Sequence, residues 1–296
     1  MEMASVNGPQ LSNPSEEMQS ALADCVQQIR APFRPDEMIE TGVAETLEQE
    51  YNRMETCIRR IIRVAKLMPF FNNIGKSTQL GLLRANLYGL IVLSSSFFFK
   101  RDIRKLCYPI VQADGSLTSL KVSMLDEVTS TEQAASRLSP SSTASSKTHA
   151  LRAEFELYKA NTLAAFDRLD EITGKDDILR VSLLAIKLFS EEALPPEARS
   201  NVSSARQAYL LFLWHYLRWN NGGKKLRSAS ELFERLLVAF IDLRTLEIRM
   251  TEFAKLLSLD GLSPLMREVC GSSQKVTSSA SISTGNILSN SSYPIG

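Results

Sequence analysis

Apolar side chains recur along most of this chain at steps of three and four, the period of a helix that buries one face. The first such stretch opens at Asn13-Pro14-Ser15-Glu16. Asn13 suits a cap, Pro14 the first helical position, and Glu16 stands three residues after the cap. The stretch runs to about Ile29 and stops before the segment from Pro32 to Pro35. From Ala44 to Met68 one stripe is formed by Leu47, Tyr51, Met54, Ile58, Ile61, Ala65 and Met68, widened by Cys57 and Ile62. Lys76 to Phe99 is apolar on most sides, which predicts a central helix.

The period then changes. Cys107 to Val122 alternates loosely around Asp114-Gly115, a turn signal that predicts a small two-stranded hairpin. Residues 129–148 are Ser/Thr-rich and poor in apolar side chains, which predicts a mobile insertion. Helical spacing resumes over about Ala150 to Ile172, then Asp176 to Phe189, then from Pro195-Pro196 to Trp219, stopped by Asn220-Asn221-Gly222-Gly223. A long amphipathic helix is predicted over Ser228 to Leu257, with Leu232, Leu236, Phe240, Leu243, Leu246, Met250 and Phe253 in register. Asp260-Gly261 turns into a last short helix from Pro264 to Cys270. The expected fold class is therefore all-α, with about ten helices and one hairpin. It is expected as a single domain over residues 13–271, between a disordered N-terminus (1–12) and a disordered Ser-rich tail (272–296).

Composition removes several functions. Net charge is +1 over 296 residues, so no global attraction to nucleic acid or membrane is expected. No apolar run reaches the ~18 residues of a membrane span. Cys25, Cys57, Cys107 and Cys270 are far apart, without metal-ligand spacing, and no secretory leader precedes them, so reduced thiols are expected. Nothing resembles a phosphate-cradling glycine loop or a Ser-His-acid set, and the two histidines, His149 and His215, leave little for acid–base chemistry. No enzyme is expected.

Specific sequence adds more. Val64 to Ser96 reads VAKLMPFFNNIGKSTQLGLLRANLYGLIVLSSS. The placing of Ala65, Lys66, Pro69, Phe71, Ile74, Gln79, Leu82, Leu83 and Arg84 resembles the signature of nuclear receptor ligand-binding domains. Leu183-Leu184-Ala185-Ile186 with Phe189-Ser190 resembles that family's eighth helix, and Asp242-Leu243-Arg244-Thr245-Leu246 its tenth. Leu262 to Glu268, LSPLMRE, resembles its closing activation helix. The four segments occur in the family's order and cover about Pro14 to Gly271. They are most similar to the vitamin D receptor and related invertebrate steroid-like receptors. The chain departs from that pattern at Thr78 and Gly89, where acidic residues are common, and at Ser94 and Met250, where the vitamin D receptor has ligand-contacting Arg and His residues.

The resemblance implies a three-layer helical sandwich with one small hairpin, and a ligand-regulated transcription factor domain in the nucleus or cytoplasm. It implies two sites. A coactivator groove would use Ile62, Leu83 and Leu265 as apolar floor, with Lys66, Arg84 and Glu268 as charged rim. Lys66 and Glu268 match the family's clamp, which grips a helical peptide at the two poles of its dipole. A pocket for a small lipophilic, sterol-like ligand would be lined by Met54, Cys57, Ile58, Ile91, Ser94, Ser95, Phe98 and Met250, with Ser94 and Ser95 offering hydroxyls. No other cofactor and no metal are implied. Implied partners are coactivator or corepressor peptides and a retinoid X receptor-type heterodimer partner; Asp242 and Arg244 could equally serve internal ion pairs. The family's eight-cysteine DNA-binding domain is absent from this sequence. Direct DNA binding is therefore not expected, and a fragment, a splice form or a receptor acting through partners is. The rival expectation is a lipid or sterol carrier, or a dominant-negative receptor form.

Overall fold

The computed structural model describes residues 15–37, 47–122, 142–191, 194, 196–220 and 226–270. The predicted N-terminal and C-terminal disorder, and the cap and first position assigned to Asn13 and Pro14, lie outside those residues. The described chain is mostly helical with a small antiparallel sheet. Its helices are α1 (Glu16–Arg30), α2 (Leu47–Leu67), α3 (Lys76–Ser96), α4 (Ser142–Thr173), α5 (Asp177–Leu188), α6 (Pro196–Asn220), α7 (Leu226–Ala254) and α8 (264–270).

The α1 cap is Ser15, whose side chain accepts from Met18 N–H at 3.4 Å. Asp176 caps α5 in the same way, accepting from Leu179 N–H at 3.1 Å. Each satisfies an amide that the first helical turn leaves unpaired. Helix α3 has no strong apolar face because it needs none: it is packed by α2, α4, α5 and α7, and from Asn86 to Ser96 only Ile91 is not fully buried. The α2–α3 connection is tied by Gln79, whose amide donates to Phe71 O (2.8 Å) and Ile74 O (2.9 Å).

Three expectations are corrected. Helix α3 stops at Ser96, short of Phe99, because Phe99–Lys100 forms strand β1. The sheet accordingly has three strands: β1 pairs with β2 (Lys105–Val111), and β2 with β3 (Leu117–Val122). Phe99 continues the apolar run of α3, but an aromatic ring also has high strand propensity, and pairing with Leu106 decides for the strand. The predicted Asp114-Gly115 turn does close β2 onto β3, with Gly115 at φ +82° and Asp114 accepting from Ser116 N–H at 2.9 Å. Finally, α4 begins at Ser142, so residues 142–148 of the predicted insertion are helical; the remainder, 129–141, lies outside the described residues. Ser and Thr are poor helix formers alone, yet here they continue a helix whose later turns pack on α7.

The C-terminal carbonyls of α3 are taken by two arginines. Arg180, buried on α5, donates to Ser96 O (2.8 Å), Gly174 O (2.6 Å), Thr173 Oγ1 (2.9 Å) and Asp170 Oδ1 (2.6 Å). Arg30 donates to Phe97 O (3.0 Å) and makes a two-pronged pair with Asp177. A second buried arginine, Arg60 on α2, lies 3.4 Å over the Phe33 ring and donates to Ile29 O and Ala31 O. Burial lowers its pKa to about 10, with Glu37 opposing the shift.

Apolar burial falls into two clusters. The larger joins α1 to α3, the sheet and α4 to α7. The smaller joins Tyr51 and Ile58 of α2, Leu87 and Tyr88 of α3, Met250, Phe253 and Ala254 of α7, and Leu262, Met266 and Cys270 around α8. Among the described residues no helix is long and apolar enough to cross a membrane.

Candidate functional site

The smaller cluster is where the C-terminal end of the described chain meets α2, α3 and α7. Helix α8 packs Met266 and Cys270 inward, while Glu268 points outward to form an ion pair with Arg84 of α3. Tyr88 reaches Cys270 Sγ at 3.9 Å, and burial pushes the pKa values of both groups up. Tyr51 donates to Met250 O at 2.7 Å, fixing α2 against α7.

The turn before α8 is fastened to α2 by three side chains at i, i+4 and i+7, one face of the helix. Glu48 accepts from Ser258 N–H at 2.9 Å. Asn52 donates to Gly261 O at 3.0 Å and accepts from Ser263 N–H at 2.8 Å. Glu55 accepts from the Ser263 hydroxyl, and that hydroxyl in turn accepts from Met266 N–H at 3.4 Å, at the start of α8. Burial alone would raise the Glu55 carboxyl, but Ser263 and Arg59 outweigh it and hold it below its ordinary value. A Cβ on Gly261 would stand 3.0 Å from Glu48 Cγ, so the two segments are in close contact.

The residues expected at a peptide groove are placed as follows. Ile62 and Leu265 both border the smaller cluster, and Leu83 borders the larger. Lys66 is exposed one turn after Ile62, in the last turn of α2. Arg84 and Glu268 are joined by their ion pair, so each already holds a partner on the protein. Leu80, absent from the sequence-derived set, is 48% exposed, and at three residues before Leu83 and four before Arg84 it shares their face. That spacing was the available signal. Glu48, Asn52 and Glu55 had none, because polar residues at helical spacing look like any solvated face.

The residues expected at a ligand pocket are only partly united. Met54, Ile58, Ile91 and Met250 meet in or beside the smaller cluster. Phe98 belongs to the larger, its ring 4.8 Å from that of Tyr108 and 6.0 Å from that of Phe33. Ile91 touches both clusters and marks the seam between them. Ser94 and Ser95 are buried, and neither hydroxyl bonds a described residue. Cys57 retains accessible surface, yet burial pushes its thiol up to about 11. The side chain of His149 lies outside the described residues.

The departure at Gly89 has a steric cause. Lys187 Nζ of α5 lies 2.7 Å and 2.8 Å from the two carboxylate oxygens of Glu247 on α7, and both side chains are buried. A Cβ at position 89 would come within 2.2 Å of Glu247 Oε1 and 2.7 Å of Lys187 Cε. The pair crosses α3 where only glycine leaves room. Asp242 and Arg244 also pair within the chain, with Arg168 and Glu247 respectively. Among the described residues no cluster of His, Cys, Asp and Glu is arranged to hold a metal ion. No protein-family model matches this sequence.

Proposed function

We propose that this chain is a nuclear receptor ligand-binding domain. In this reading it has the three-layer helical sandwich, takes a small sterol-like lipophile and recruits co-regulators in the nucleus. The observation that carries the reading is the ion pair between Arg84 and Glu268. It ties α8 to α3, and Ile62 of α2 borders the same small cluster as Leu265 of α8; in this reading Leu83 and the exposed Lys66 complete the groove.

The mechanism follows from helix electrostatics. A helical Leu-x-x-Leu-Leu segment brings its leucines to the floor made by Ile62, Leu80, Leu83 and Leu265. Its free amides lie at one end and its free carbonyls at the other. Glu268 serves the amides and Lys66 the carbonyls. A clamp of this kind selects length, since an ~8-residue helix is roughly 12 Å long. A lipophile between the two clusters, among Met54, Cys57, Ile58, Ile91, Ser94, Ser95, Phe98 and Met250, acts by binding the α8-docked state more tightly than the undocked one. The Ser94 and Ser95 hydroxyls suit an uncharged oxygen on it. The exposed apolar residues Leu237, Val238, Ile241 and Ile248 of α7 suit a dimer partner, while Asp242 and Arg244 pair within the chain.

Binding of a fluorescent Leu-x-x-Leu-Leu peptide tests the proposal. Lys66→Ala and Glu268→Ala should each weaken binding by roughly ten- to a hundredfold, the worth of one charge-assisted hydrogen-bonded contact. A carrier of lipid alone would bind no such peptide. Equal affinity for wild type and both variants would remove the mechanism.

A further inference from the structure

The described part of α8 is seven residues (264–270), a length too short to hold its own conformation in water, so its position must come from what it rests on. Its apolar side supplies Met266 and Cys270 to the smaller cluster. Apolar contact is not directional and leaves rotation and sliding along α2 open. Hydrogen bonds fix such freedoms, and those reaching the 258–263 turn from α2 come from one face of that helix.

Among them Asn52 is distinct. Its carboxamide donates a hydrogen bond to Gly261 O and accepts one from Ser263 N–H, so it grips two backbone groups two residues apart, as a strand would. Ser263 is also the residue whose hydroxyl receives Met266 N–H at the start of α8. The grip therefore sets the origin of the helix that carries Leu265 and Glu268. We infer that Asn52 is the positioning residue of the co-regulator groove, and that contacts within the chain seat α8 and bring Glu268 to Arg84. The inference rests on the groove reading above for its functional half only. Glu48, four residues earlier, supports the same turn through Ser258, and Gly261 allows the close approach. In that reading a bound lipophile adjusts a surface that α2 has already assembled.

Hydrogen exchange and peptide binding, measured on the full chain, separate the two halves. Asn52→Ala removes both bonds and should raise exchange at the 265–270 amides by roughly tenfold or more, with the protection of α3 and α5 unchanged. Asn52→Asp keeps the acceptor for Ser263 but sets a carboxylate against Gly261 O, between Glu48 and Glu55, and should loosen α8 at least as much as Asn52→Ala. Peptide affinity should fall in the same order. Extraction of the purified protein with organic solvent, to strip any bound lipid, should leave exchange of the 265–270 amides close to that before extraction. Unchanged exchange in Asn52→Ala overturns the positioning role. So does extraction that matches Asn52→Ala in effect, because a lipid would then seat the helix. Faster exchange in Asn52→Ala with unaltered peptide affinity upholds the positioning role and counts against the groove itself.

Discussion

The C-terminal end of α3 and the seam between α2 and α8 are both held by polar side chains gripping backbone, but in different surroundings. At the end of α3, Arg180 is buried and four acceptors converge on it. At the α8 seam, Asn52 is half-buried, and the Arg84–Glu268 pair is open to water at 38% and 56% exposure. Removing a buried charge leaves its partners without solvent to replace it, whereas water takes over at an exposed bond. The first fastening is therefore the costlier to open. The second is releasable at a small cost, which is what a surface that must form and reform needs. The difference lies in solvent access rather than in the number of bonds.

The strongest way to test this contrast is Arg180→Met. The substitution keeps much of the side chain's volume but strands the buried Ser96 O and Thr173 Oγ1, while Gly174 O and the Asp170 carboxylate, which reach solvent, can turn to water. It should destabilise the whole domain by about 2–4 kcal/mol, seen as a lower urea midpoint at unchanged slope. Arg180→Lys should recover only part, because an ammonium cannot reach acceptors spread around a planar fork. A loss under about 1 kcal/mol for Arg180→Met would mean that the two fastenings do not differ in kind.

Next in size is Gly89→Ala. The added methyl collides with the buried Lys187–Glu247 pair, which has no exposed direction in which to retreat. Overpacking of this sort should cost about 1–3 kcal/mol, read as a lower thermal midpoint. Exchange at the 265–270 amides should not change beyond what global unfolding accounts for. Selective loosening of α8 would show that the buried pair and the α8 seam are one unit.

The same contrast explains what could be read from the sequence. Apolar periodicity located α2, α3, α5, α6, α7 and α8 to within a few residues, because each buries a continuous stripe or, for α3, most of its surface. It failed at Phe99, where strand pairing with Leu106 ends the helical run, and at Ser142 to Thr148, where the decisive packing lies in the turns that follow. At the candidate site, Ile62, Leu83 and Leu265 were legible as apolar positions, and Lys66, Arg84 and Glu268 only through resemblance. The Arg84–Glu268 pairing spans 184 positions and no spacing encodes it. Asn52 was invisible for the same reason: its partners lie 209 and 211 residues away. The purpose of Gly89 could not be guessed without the pair that crosses it.

The smallest expected effect concerns pH, and it distinguishes the seam from the rest of the fold. The Glu55 carboxyl is held below its ordinary value of 4.5 in the folded state, where it accepts from Ser263 and pairs with Arg59. A depressed folded value means that the folded state favours the ionised form. The resulting stabilisation is complete above 4.5 and is lost as pH falls through the lower, folded value. Protonation would weaken a contact at the start of α8 and leave the arginine network of α3 largely in place. Glu37, also held low through Arg34, Arg63 and Arg60 against the effect of burial, titrates in the same direction, so acid stability of the whole domain cannot identify the seam. Protection factors for the 265–270 amides can, since they remove the intrinsic pH dependence of exchange. Between about pH 6 and about pH 3.5 they should drop in wild type by a few-fold, before protection in α3 changes. Glu55→Gln, which retains an acceptor for Ser263 but has no charge to lose, should abolish that local drop; Glu48→Gln, at the other end of the seam, controls for the second carboxylate. If wild type and Glu55→Gln lose protection together across this range, the Ser263 contact does not help to seat α8, and the releasable fastening is confined to Asn52 and the Arg84–Glu268 pair.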